Sequence, residues 1–196
     1  MKFLIPFLTV FLLLALDGFI VSRISEPYIY QNDKSFKISS FTAKDLNGNA
    51  ITQDIFAKNF TVVCLWVTKD AENSRKVMAD IENLKNSTST DFQIIGIVGD
   101  LREDSDKQEF ENARKITRDF KNVLQIIPND ELIDILTKIR NVPTVFFVDD
   151  EGNIIGQPIV GNEPTLMKKE LFRLTNKYSE QDKLKEKIHA NIFYSF

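Results

Sequence analysis

Val142-Pro143-Thr144-Val145-Phe146-Phe147-Val148-Asp149-Asp150-Glu151-Gly152 is the stretch on which the reading of the fold turns. The β-branched and aromatic run from Val142 to Val148 predicts a strand, with a proline near its beginning where a missing N–H is tolerated. The acidic residues and Gly152 that follow predict a turn into Asn153-Ile154-Ile155-Gly156. Upstream, Pro128-Asn129-Asp130 opens a helix over Glu131 to Ile139, after a short strand over Val123 to Ile127. Downstream, Gly161-Asn162-Glu163-Pro164 caps a helix running to about Tyr178.

Phe60-Thr61-Val62-Val63-Cys64-Leu65-Trp66-Val67 is apolar without alternation, so it predicts a strand buried on both faces and central in a parallel sheet. Asp70 to Lys85 carries Val77, Met78, Ile81 and Leu84 at helical spacing. Phe92 to Val98 reads as a second buried strand ending at Gly99-Asp100. Lys107 to Phe120 reads as a charged helix with Phe110, Ala113, Ile116, Thr117 and Phe120 on one face. Nearer the amino terminus, Phe36 to Phe41 alternates weakly, Asp45-Leu46-Asn47-Gly48-Asn49 makes a turn, and Ala50 to Phe56 completes a β-hairpin. The spacing Asp45, Asn47, Asn49 mimics the start of a calcium loop, but the twelfth position is Phe56 instead of Glu, so the match fails. The succession is an α/β domain around a mixed sheet, without internal repeats.

Composition removes whole classes of chemistry. The 196 residues include one cysteine and one histidine. An internal disulfide, a Cys-x-x-Cys pair and a zinc site of three or four N/S ligands are all excluded. The net charge of −3, from 25 basic and 28 acidic side chains, gives no support to nucleic-acid binding. A Ser-His-Asp site would have to recruit His189, close to the carboxyl terminus. No cofactor and no metal is implied.

The first 21 residues stand apart. Lys2 precedes an apolar run from Phe3 to Leu16 that suits a signal-peptide core; Asp17-Gly18 interrupts it and Phe19-Ile20-Val21 resume it. Counted through Val21 the run is about 19 residues, just enough to span a bilayer. Residues 1–21 are therefore expected to be a signal peptide or an uncleaved anchor. The lack of a small-x-small cleavage site after Ala15 favours the anchor. Either reading places the rest outside the cytoplasm, membrane-tethered, secreted or periplasmic. Residues 22–35 read as a linker and 36–178 as the domain. Residues 179–196 form a tail in which Leu184, Ile188 and Ile192 predict a helix packed back on the domain, or else a partner- or membrane-contacting segment.

The order of elements, with the words it contains, resembles the thioredoxin-like fold, and within it the membrane-anchored bacterial thiol–disulfide oxidoreductases of the TlpA/ResA type. Phe41-Thr42-Ala43-Lys44-Asp45-Leu46-Asn47-Gly48-Asn49 is similar to that group's opening hairpin, F-x-x-x-D-L-x-G-x. Val62-Val63-Cys64-Leu65-Trp66-Val67-Thr68 is similar to V-V-x-x-F-W-A-T-W, and Val142 to Gly152 to V-P-T-x-F-x-I-D-x-x-G. The resemblance implies a three-layer sandwich with a central mixed sheet, an amino-terminal β-hairpin and an inserted helix at 107–120. It also implies a cis Val142–Pro143 bond, and a groove for extended peptide formed by Trp66, Asp70, Val142, Pro143 and Thr144.

In that family Cys-x-x-Cys follows the tryptophan strand. The two positions here hold Asp70 and Asn73, and thiol–disulfide exchange needs sulfur at both. Asp70 is expected instead to cap the helix, its oxygen accepting from the first free N–H groups, with Glu72 adding negative charge in the first turn. Cys64 is the one remaining thiol. It lies six residues before Asp70, about 20 Å away in extended chain, within an apolar run where cysteine behaves as an inert small hydrophobe. Thr61-Val62-Val63-Cys64 matches the Thr-x-x-Cys part of a peroxiredoxin motif, but Lys58 stands where that motif has proline. The expectation is an exported or tethered thioredoxin-like protein without a redox pair, binding a protein or peptide at the groove. The alternative is a thiol-dependent oxidoreductase or peroxidase acting through Cys64.

Overall fold

The computed structural model describes residues 37–38, 40–88 and 91–193, with their side chains except those of Ile135 and residues 181–193. The signal or anchor expected at 1–21 and the linker at 22–35 lie outside the described residues. A seven-stranded mixed sheet runs in the order β2-β1-β5-β4-β3-β6-β7. The strands are β1 (Thr42–Asp45), β2 (Ala50–Thr52), β3 (Phe60–Trp66), β4 (Gln93–Val98), β5 (Leu124–Ile127), β6 (Thr144–Asp149) and β7 (Ile154–Val160). The helices are α1 (Ala71–Asn86), α2 (Lys107–Thr117), α3 (Asp130–Leu136) and α4 (Pro164–Phe193).

β3 pairs in parallel with β4 and antiparallel with β6, and β4 pairs in parallel with β5. Two successive right-handed crossovers in the same direction leave their helices on one face. That face holds Phe60, Val62, Cys64 and Trp66 of β3 in one core with Val77, Met78 and Ile81 of α1, Ala113 of α2, and Met167, Leu171 and Leu174 of α4. The connection from β5 returns across the sheet, and α3 covers the opposite face, where Leu132 and Leu136 join Val63, Leu65, Ile95, Ile97 and Phe146. All seven side chains of β3 are buried, which is why its sequence shows no alternation. This is an α/β thioredoxin-like fold.

Three boundaries differ from the sequence reading. The first hairpin strand is Thr42–Asp45 instead of Phe36 to Phe41, because the ladder starts at the tight turn and the chain before it makes one bridge, Lys37 to Asn153. The strand after the proline begins at Thr144, leaving Val142 and Pro143 in the preceding loop. α4 has no break near Tyr178 and runs unbroken to Phe193, so the expected tail is a continuation of the same helix. The cause is local: residues 179–193 contain no glycine or proline to end a helix. Among the described residues, no helix is long and apolar enough to cross a membrane.

Candidate functional site at the carboxyl ends of β3 and β4

The loops after β3 and β4 and the loop before β6 lie at one end of the sheet, outside the carboxyl ends of the parallel strands, where open α/β sheets place their ligands. Leu65 pairs with Thr144 across β3 and β6, the last pair of that ladder, so the loop holding Val142 and Pro143 comes at the end of β3. The Val142–Pro143 peptide bond is cis. Gly161 N–H donates to the Pro143 carbonyl at 2.8 Å, tying this loop to the end of β7. Pro143 is buried, whereas Val142 is 37% and Val160 45% exposed. The side-chain hydroxyl of Thr144, a residue 1% exposed, donates to the Asn141 carbonyl at 2.6 Å.

Between β3 and α1 the chain makes a 3-10 turn over Thr68–Asp70. Asp100 holds that turn. Its carboxylate accepts from Thr68 N–H at 2.8 Å, Thr68 Oγ1 at 2.8 Å and Lys69 N–H at 3.2 Å. Trp66 pairs with Val98 in parallel register, so two residues on, Thr68 and Asp100 come side by side. Ser74 Oγ donates to the Val67 carbonyl at 3.1 Å, fastening the first turn of α1 to the end of β3.

The structure corrects the reading of Asp70. It stands at the N-cap of α1, but with φ −118° and ψ 55° its side chain accepts no capping bond. Asn73 Nδ2 instead donates to both Asp70 oxygens, at 3.0 and 3.1 Å. The two residues at the expected cysteine positions thus bond to each other, and the N–H groups of Thr68 and Lys69 go to Asp100. Sequence reasoning missed Asp100 because it lies 30 residues from Asp70 in the chain. The available signal was its place just past a buried parallel strand. Glu72 pairs with Lys76 at 2.7 Å on the exposed side of α1, and this lysine holds the Glu72 carboxyl below its ordinary pKa.

Trp66 does not line a groove. It is 0% exposed, and its indole N–H donates to Gln125 Oε1 at 2.9 Å inside the core. Of the five expected groove residues, the buried Trp66, Pro143 and Thr144 form support, and Val142 and half-buried Asp70 reach the surface. Cys64 is free and fully buried, and that burial pushes its thiol pKa up to about 12. An uncharged, solvent-inaccessible thiol is a poor nucleophile. Among the described residues, no three His, Cys, Asp or Glu side chains are grouped to hold a metal.

No protein-family model and no curated protein matches the chain. Solved structures do. The thioredoxin domain of a thiol-disulfide oxidoreductase from Bacteroides vulgatus superposes with a TM-score of 0.55 at 22% identity, over 71% of this chain and 95% of that one. The exposed lipoprotein thioredoxin of Streptococcus pneumoniae gives 0.54 at 16%, over 69% and 99%. A thiol:disulfide interchange protein DsbE from Chlorobium tepidum gives 0.55 at 15%, over 74% and 96%. At these identities the likeness establishes the thioredoxin-like fold.

Proposed function

We propose that the chain is an extracytoplasmic, membrane-tethered or exported thioredoxin-like protein of TlpA/ResA descent that has lost its redox pair. In this reading it binds extended apolar polypeptide beside Pro143, as a chaperone-like or assembly module. The observation that carries the reading is the pairing of two features. Val142, in the cis-proline loop, and Val160, at the end of β7, expose apolar surface, and the positions where the resemblance expects the cysteine pair hold a carboxylate and an amide, Asp70 and Asn73. Location outside the cytoplasm is supported by the apolar run at residues 3–21 and by the lipoprotein thioredoxin among the structural neighbours. Action through Cys64 is disfavoured by its burial and raised pKa.

The test has two arms. The purified chain should not reduce insulin disulfides above background; sustained turnover would sink the reading. A fluorescein-labelled peptide alternating valine and threonine should bind saturably, and Val142→Asp with Val160→Asp should weaken it about tenfold, the equivalent of 1.4 kcal/mol. Unchanged binding in that variant would remove the groove from the proposal.

A further inference from the structure

A cleft of about 400 Å³ opens where the β1–β2 turn, the end of α2 and the start of β5 meet. It lies at the amino end of β5, whereas the loops described above lie at the carboxyl ends of the parallel strands. Leu46, Phe120 and Val123 supply apolar lining, and Arg114, Arg118 and Lys121 supply positive charge.

One carboxylate, Asp45, lines the cleft, and Asp119 and Glu111 stand near it in ion pairs. Both Asp45 oxygens are taken up within its own turn, by the N–H groups of Asn47 and Asn49 and by Asn49 Nδ2. Asp119 pairs with Arg75 at 2.7 Å, and Glu111 with Arg114 at 2.9 Å. Arg114 is held in place by a second bond, from Nη2 to the Leu46 carbonyl at 2.7 Å. The carbonyls at the end of α2, which would repel an anion, are covered: Arg75 Nη1 donates to Ile116 at 2.9 Å and to Lys115 at 3.5 Å. Against the single Asp45 charge stand those of Arg118 and Lys121, so the cleft keeps a net positive charge. Arg118 reaches a carboxylate only at 3.9 Å, and the exposed Lys121 makes no ion pair or side-chain hydrogen bond among the described residues.

We propose that this cleft binds a small organic anion, a phosphate monoester carrying an apolar group. The phosphate meets Arg118 and Lys121 at the rim, with the guanidinium fork suited to two of its oxygens. The apolar group lies on Leu46, Phe120 and Val123. A chain with an overall charge of −3 would otherwise repel such a ligand, so the local reversal of sign carries the selectivity.

The test is titration of the full chain, in detergent micelles, with phenyl phosphate, followed by phosphorus NMR and calorimetry. Saturable binding is expected that weakens as salt is raised and is about tenfold weaker in the double variant Arg118→Gln/Lys121→Gln. Both side chains are exposed, so the variant should unfold at the wild-type temperature and bind the valine–threonine peptide unchanged. Absence of saturation by about 10 mM, on the millimolar scale of weak association, would overturn the proposal. So would equal binding of phenol, or an unaltered affinity in the double variant.

Discussion

Gln125 accepts the Trp66 indole N–H at 2.9 Å and turns its own Nε2 toward the Met78 sulfur at 3.7 Å. Room for it comes from Gly96 on the neighbouring strand, where an added Cβ would stand 2.1 Å from Gln125 Oε1. The glycine is therefore required by close approach and not by backbone conformation. Gly96→Ala should destabilise by about 1–3 kcal/mol through overpacking. Gln125→Leu should cost about 1–3 kcal/mol by leaving a buried indole N–H without an acceptor. Urea unfolding followed by the emission of Trp66, the only tryptophan, measures both. A Gly96→Ala protein as stable as wild type would refute the packing argument. The sequence placed Gly96 and Gln125 in buried strands but could not reveal their contact, because the β4–β5 register that sets them side by side is a tertiary fact.

One five-residue turn, Asp-x-x-Gly-Asn, occurs twice, and the structure shows that both copies are bonded alike. Asp45-Leu46-Asn47-Gly48-Asn49 joins β1 to β2, and Asp149-Asp150-Glu151-Gly152-Asn153 joins β6 to β7. In each, the aspartate Oδ1 accepts two backbone N–H groups and Oδ2 accepts the asparagine side chain. The glycines have φ of 88° and 85°, a region that favours glycine. Burial pushes the Asp45 pKa up, but the bonds from Asn49 and Asn47 outweigh it and leave the group below its ordinary 3.8. Its folded pKa is depressed, so its contribution is complete above the unfolded value and is lost as pH falls through the folded one. Asp45→Ala should cost about 1–3 kcal/mol at neutral pH, and this difference from wild type should shrink in acid, below the ordinary value. Melting curves across that range test the sign. Before α1, Asp100→Ala should cost about 1–2 kcal/mol and Asp70→Ala less, since Asp100 holds the N–H groups of Thr68 and Lys69 and the Thr68 hydroxyl. The reverse order would restore Asp70 as the cap.

Across the whole molecule, burial of β3 on both faces decides what Cys64 can do. It packs among the side chains under α1 and α4, so reagent reaches it only when the sheet opens. Iodoacetamide labelling should follow the global unfolding curve in urea; rapid labelling of the native chain would reopen thiol chemistry. The same packing explains which site residues were legible. The proline loop and the absence of sulfur at Asp70 and Asn73 could be read from local words. The roles of Trp66 and Asp100 could not, since one depends on an acceptor from β5 and the other on the parallel register of β4.

By itself the sequence determined the α/β class, the central buried strands, the loop at Pro143 and the lack of a dithiol, because periodicity, turn residues and residue type act within short segments. Tertiary structure alone decided that the Trp66 indole is bonded inside the core and that Asp100 holds the turn before α1. It also brought Arg114, Arg118 and Lys121 against the Leu46 turn. Those outcomes depend on strand order and register, which bring together groups tens of residues apart and which no local pattern encodes.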